Sequence, residues 1–233
     1  MPQRQRLPFI GLPISSVTPE EIAISIMAQI IQFRREMAIC VAAVLLAAGS
    51  SKRMGRPKQL LPLGDRPAVR YCCERILAAG IGDVAVVVGP QGEEIATALH
   101  GLAVTVVENE DRESEMADSV RIGLRALPER YTAVLICLAD QPLTSTETLK
   151  TIIHRYSEDP HKIIVPMYNG KKGHPTLFPK SAAEEIYSSI TLRDIISRDP
   201  GRIRRISVAD EGVVLDMDTL DDYHDILRKI QAR

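Results

Sequence analysis

Short apolar runs alternate with helical stretches along most of this chain. Val41–Leu46, Asp83–Val88, Ala103–Val107 and Ala133–Leu138 are β-branched or small apolar segments of the length of strands buried on both faces. Between them, Ala68–Ala79, Glu93–Leu99 and Ser119–Leu127 read as helices, the first closing at Gly80. Strands alternating with helices predict an α/β fold, a mostly parallel sheet with helices on both faces, whose ligands sit beyond the carboxyl ends of the strands.

The second half is less regular. Lys162–Pro166 predicts a strand, Tyr168–Pro175 a glycine-bearing loop, and Leu177–Phe178 a short returning strand. Ala182–Tyr187 and Leu192–Ser197 predict helices, Ile206–Val208 and Val213–Leu215 edge strands, and Leu220–Ile230 a final helix with Thr219 as its cap. No element is assigned between 143 and 161.

At the other end, residues 1–17 are punctuated by Pro and Arg and predict an extended segment. Thr18-Pro19-Glu20-Glu21 is a helix start with a capping box, and Ile22, Ile26, Ile30 and Phe33 recur at helical spacing. Residues 1–37 therefore form an extension with an amphipathic helix, ahead of a domain over 38–233. The apolar segment Ile22–Ile31 is preceded by Glu20 and Glu21 and followed by Arg34 and Arg35, the reverse of a secretory signal's charge order. No apolar stretch reaches the roughly 18 residues of a membrane span. A cytoplasmic protein is expected.

Composition changes this picture by exclusion. The 233 residues carry a net charge of −1, so nothing global marks a nucleic-acid or membrane partner, and any basic cluster is a local site. The four cysteines, Cys40, Cys72, Cys73 and Cys137, lack C-x-x-C spacing and fall in apolar segments, as reduced core residues do.

One such cluster follows the first strand. The apolar run breaks into Ala47-Ala48-Gly49-Ser50-Ser51, bare enough for backbone N–H groups to approach a polyphosphate. Lys52, Arg53, Arg56 and Lys58 add four positive charges within seven residues. It is not a Walker loop, because Gly49 and Gly55 are separated by five residues and Arg56-Pro57 follows; the dinucleotide G-x-G-x-x-G is missing as well.

The stretch from Leu46 to Leu63, L-A-A-G-x-S-x-R-M-G-x-P-K-x-L-L-P-L, resembles the signature of the MobA-like nucleotidyltransferases, and within them most resembles the molybdenum cofactor cytidylyltransferases. That resemblance implies a Rossmann-like three-layer nucleotidyltransferase fold and transfer of CMP from CTP to molybdopterin, with Mg2+ as cofactor and pyrophosphate released. It implies that Arg53 holds the β- and γ-phosphates and Lys58 the α-phosphate. Gly49 and Ser50 would offer backbone donors, Ala47 and Ala48 would lie against the base, and Gly89 and Ser119 would complete the nucleotide site. Asp140 in LADQP resembles the family's metal ligand, and Asp216 and Asp218 in LDMDT are candidates for the facing carboxylate, Asp218 being preferred. The segment Gly170-Lys171-Lys172-Gly173-His174-Pro175 resembles an acceptor loop, G-R-R-G-H-P, with both Arg replaced, and Arg193 is what remains of a later G-A-R; Lys171, Lys172, His174 and Arg193 are thus the acceptor-binding candidates. A further departure is Ser114-Glu115-Met116-Ala117-Asp118-Ser119 where the family has E-G-M-x-x-S, which places Glu115 at a glycine position.

The N-terminal segment also resembles the C-terminal tail of the XdhC family, proteins that handle molybdenum cofactor, and implies a molybdoenzyme or an XdhC-like protein as partner; a generic packing helix is the alternative. Guanylyl transfer, transfer to a sugar or polyol phosphate, and a non-catalytic cofactor carrier remain as alternative functions.

Overall fold

The computed structural model describes residues 11–12, 14–15, 17–49, 56–90, 92–111, 113–188 and 191–231. They group into two units, 1–39 and 40–233. In the first, helix α1 (Pro19–Ala38) opens with the expected box: Thr18 Oγ1 accepts from the Glu21 N–H at 3.3 Å, and Glu21 Oε2 accepts from the Thr18 N–H at 3.1 Å. The chain before it folds back, Ser25 Oγ donating to the Leu12 carbonyl at 2.7 Å.

The second unit begins with β1 (Val41–Ala47), crosses the two-residue strands β2 (Pro62–Leu63) and β3 (Arg66–Pro67), and enters α2 (Ala68–Ala78). Then follow β4 (Val84–Val88), α3 (Glu93–Ala98), β5 (Thr105–Glu108), α4 (Met116–Ala126), β6 (Ala133–Leu138) and α5 (Thr146–Glu158). The remainder comprises β7 (Ile163–Tyr168), β8 (Lys171–Lys172), β9 (Thr176–Pro179), α6 (Lys180–Ala183), α7 (Leu192–Arg198), β10 (Ile203–Ser207) and α8 (Leu220–Gln231).

The main sheet runs β10-β7-β9-β6-β1-β4-β5, with β8 hairpinned onto β7. Parallel pairing joins β6, β1, β4 and β5, and also β7 with β10; β9 lies antiparallel between β6 and β7. This is the expected Rossmann-like nucleotidyltransferase fold. The chain leaves β1 toward β4 and β5, then returns to the other side of β1 as β6. The strand order therefore reverses between β1 and β6, and a crevice opens at their carboxyl ends.

The central strands are apolar on both faces because both faces are covered. Ala42 and Val44 look toward α4, whose Gly123 lies so close that a Cβ there would stand 2.4 Å from Val44 Cγ1. Leu45 and Cys137 point the other way, beside Cys72 and Ile76 of α2 and Leu149 of α5. Cys72, Cys73 and Cys137 are buried and free, and burial pushes the Cys73 thiol up to about 12. Among the described residues no helix is long and apolar enough to cross a membrane.

Four expectations are corrected. Val213–Leu215 is not an edge strand: Glu211–Val214 is a 3-10 turn held by Asp210, whose Oδ1 accepts from the Gly212 N–H. The strand expected over Ala103–Val107 spans Thr105–Glu108, and the helix expected from Ser119 begins at Met116. Helix α5 went unassigned, although Ser145 caps it and Leu149, Ile152 and Tyr156 form its buried face.

Candidate active site

Four segments meet at the crevice between β1 and β6. Ala48 and Gly49 leave β1, Ala139 and Asp140 leave β6, the 3-10 turn Lys58–Leu60 lies beneath, and Ser114–Met116 with Ser119 supplies the wall from the start of α4. Together they line a cleft of about 230 Å³. Of the nucleotide-site candidates, Ala48, Gly49, Lys58, Ser119 and Asp140 are brought together here. Ser50 and Arg53 lie outside the described residues, as does Lys52.

Lys58 is the electrostatic centre. Its Nζ is 2.7 Å from Asp140 Oδ2 and 2.9 Å from Asp218 Oδ1, and its side chain is only 12% exposed. Burial works against the ammonium, but the hydrogen bonds and charges of Asp140 and Asp218 outweigh it and raise the lysine above its ordinary value. Asp218 reaches this position because the Met217 N–H donates to the Asp140 carbonyl at 2.8 Å, docking the two acidic segments together. Capping of α8 falls to Thr219, with Asp222 answering in a capping box.

Asp216 takes a different role. Segment 215–218 is irregular rather than extended, and Asp216 Oδ1 accepts from Gln141 Nε2 at 2.7 Å instead of facing Lys58. The two acids of LDMDT are thus divided, one to the lysine and one to Gln141.

Two buried amides that sequence reasoning left aside shape the walls. Gln59, 2% exposed, donates from Nε2 to the carbonyls of Ala47 and Gly49, each at 2.9 Å, and so clamps the backbone where β1 becomes loop. Asn109, 3% exposed, donates from Nδ2 to Ser119 Oγ at 3.0 Å and Ser114 Oγ at 2.8 Å, tying the α4 wall to the end of β5. Gly89 serves this geometry by its smallness, since a Cβ there would stand 3.1 Å from the Ala48 carbonyl oxygen.

Glu115, the departure from the family pattern, is the N-cap of α4: its side chain takes a backbone N–H from the first turn, and Asp118 Oδ2 accepts from the Glu115 N–H at 3.0 Å. A capping box therefore stands where a glycine would relax the chain, and it starts the helix three residues early.

The acceptor candidates are spread out. Lys171 and Lys172 are exposed on β8, a hairpin turned at Asn169 and Gly170 with φ of 46° and 76°, the left-handed values a two-residue turn requires. Arg193 is exposed on α7. None of the three lines the cleft. His174 is mostly buried, its N–H donating to the Val213 carbonyl at 2.8 Å while its Nδ1 lacks a protein partner. Burial holds its imidazole below the ordinary value, against the opposing pull of Asp216 and Asp140.

A divalent cation fits these residues. Asp140 Oδ1 is buried without a protein partner, and Asp218 shares its lysine, so two hard oxygen ligands stand at the cleft. Among the described residues no three His, Cys, Asp or Glu side chains gather to hold a metal ion. Such a site suits a cation whose other ligands are phosphates and waters.

Residues 43–203 match the model of the MobA-like NTP transferase domain. The chain belongs to this family. A protein of Paenarthrobacter nicotinovorans named nicotine blue oxidoreductase is 28% identical over 81% of this chain and 97% of its own. The crystal structure of Rv0371c from Mycobacterium tuberculosis H37Rv is 31% identical, covers 82% of this chain and 98% of its own, and superposes with a TM-score of 0.72. A complex of Rv0371c with manganese covers 81% of this chain and 98% of its own, at 28% identity and a TM-score of 0.68. Membership in the MobA-like family makes the chain a nucleotidyltransferase by class.

Proposed function

We propose that this MobA-like protein moves CMP from CTP onto the terminal phosphate of molybdopterin. An acceptor phosphate oxygen attacks the α-phosphorus, a new P–O bond forms, the bond between the α-phosphorus and its bridging oxygen breaks, and pyrophosphate leaves with the electron pair. The observation that carries the reading is the Lys58 ammonium held between Asp140 and Asp218 beside the bare Ala48–Gly49 backbone. Positioned cations are what phosphoryl chemistry needs, because its transition state gathers negative charge on oxygens.

Asp140 and Asp218 would hold Mg2+, which when bound neutralises phosphate oxygens and orients the triphosphate. Lys58 meets the α-phosphate, Arg53 the outer phosphates, and Ala47 and Ala48 the base. His174, Lys171, Lys172 and Arg193 serve the acceptor, and the N-terminal unit, XdhC-like, serves delivery of the product to a molybdoenzyme. The LAAG sequence supports cytidine, since the guanylyl branch favours LAGG.

Incubating the protein with molybdopterin and mixed nucleoside triphosphates, and weighing the product, tests this. The cytosine dinucleotide is expected; a guanine product alone, or a nucleotidyl sugar phosphate when that acceptor is offered instead, reassigns the substrates. The similarity to a relative named an oxidoreductase, spanning nearly all of that relative, favours a second reading in which the cleft serves a redox reaction. Consumption of a reduced nicotinamide dinucleotide with no pyrophosphate release would select it. A carrier without turnover would keep binding molybdopterin after Asp140→Ala.

A further inference from the structure

Lys58 has two calls on its charge. The family reading sends it to a phosphate, yet its ammonium lies 2.7 Å and 2.9 Å from one oxygen of each carboxylate offered to a metal ion. We infer that this ammonium holds the place of the divalent cation, so that Asp140 and Asp218 accept a metal ion only as an incoming triphosphate draws Lys58 away.

The geometry sets the two occupancies in competition. A magnesium ion requires oxygens at about 2.0–2.1 Å, and one bound at the unpartnered Asp140 Oδ1 would stand directly beside the ammonium held on Oδ2 of the same carboxylate. Charge gives the same answer. Among the described residues, two carboxylates and one ammonium sum to −1; exchanging the ammonium for a divalent cation gives zero, whereas adding the cation to it forces two positive centres together in a partly buried site.

With no third protein carboxylate or imidazole gathered there among the described residues, metal binding without nucleotide has little to offset the loss of the ion pairs. A triphosphate supplies both missing parts, oxygen ligands for the metal and a new anion for Lys58. Ala48 and Gly49 line the same cleft, so the displaced ammonium has a destination close by.

Manganese binding to the full chain, followed by electron paramagnetic resonance of the free ion, tests this inference. Wild-type protein should bind Mn2+ weakly alone and tightly with a non-hydrolysable CTP analogue. Lys58→Met should bind Mn2+ without nucleotide about tenfold or more tighter than wild type, since one positive neighbour is gone, whereas Lys58→Arg should stay weak. Adding Asp218→Asn to Lys58→Met should abolish the gain and so locate the ion.

Equal Mn2+ affinity of the wild type with and without the analogue overturns the inference. So does a folded Lys58→Met protein that binds no tighter than wild type; if that variant does not fold, the wild-type pair of measurements decides alone. The inference rests on the metal and nucleotide assignments of the proposed function but not on its acceptor. A failure to make product with molybdopterin, beside nucleotide-dependent Mn2+ binding, rejects the acceptor and leaves the exchange standing.

Discussion

Replacing Gln59 probes the clamp beneath the cleft. The amide gives both of its hydrogens to backbone carbonyls, Ala47 and Gly49, at 2.9 Å each, from a side chain that is 2% exposed. Gln59→Leu keeps a similar volume and removes both donors. At about 0.5–1.5 kcal/mol net per hydrogen bond, the loss is about 1–3 kcal/mol, and it moves toward the upper end because Ala47 is itself buried. Gln59→Glu is harsher, because a carboxylate has no donor and faces two carbonyl oxygens.

Protonation restores one donor, so the glutamate's folded pKa must lie above its unfolded value of about 4.3. The sign follows: stability linked to this group is fully present below the unfolded pKa and is lost as pH rises through the folded pKa. Urea unfolding at pH 5 and pH 8 should therefore give the order wild type, Leu, Glu at pH 8, with Glu recovering at pH 5 and all three showing similar m-values. CTP affinity should fall with each substitution, since the Ala48–Gly49 backbone loses its anchor. A Gln59→Glu protein as stable as wild type at pH 8 would refute the argument that these two carbonyls depend on the amide.

Further outcomes follow from neighbouring geometry. Asp218→Asn should cut turnover about 100-fold or more while Asp216→Asn stays within about tenfold, because Asp218 meets Lys58 whereas Asp216 meets Gln141; steady-state pyrophosphate release measures both, and equal losses would refute the division of the two acids. Gly173→Ala sets a Cβ 2.4 Å from the Val213 carbonyl oxygen, so a loss of about 1–3 kcal/mol and a lowered thermal midpoint are expected. His174 has a folded pKa below its ordinary 6.5, so stability should be full above that value and fall as pH drops through 6.5 toward the folded pKa, where the unfolded chain takes up a proton the buried ring resists. Denaturation from pH 5 to 8 should show this slope, and His174→Asn should flatten it. Phe178→Ala, at a fully buried position between β6 and β7, should destabilise by about 3–5 kcal/mol in the same assay.

Local pattern alone set out the sheet and pointed to the loop of the candidate site. Runs such as Val41–Leu46 and Ala133–Leu138 can be satisfied only when both faces are covered, and a bare Ala48–Gly49 loop followed by Lys58 has the local composition that suits an anion. Thr18 and Thr219 were legible as caps for the same reason: a cap is a contact between residues three apart, and its partners are neighbours in the chain.

Tertiary structure decided what depends on residues far apart in sequence. Lys58, Asp140 and Asp218 come together across 82 and 160 positions, and only the folding of β6 beside β1 and the docking of the 215–218 segment on Asp140 makes one ion-pair cluster of them. The same physics split Asp216 from Asp218 and turned Val213 from an expected strand into a 3-10 turn, because its backbone carbonyl found His174 instead of a neighbouring strand. Gln59 and Asn109 stayed silent in the sequence because an amide's role is fixed by the carbonyl or hydroxyl it meets after folding, and no local pattern names that partner.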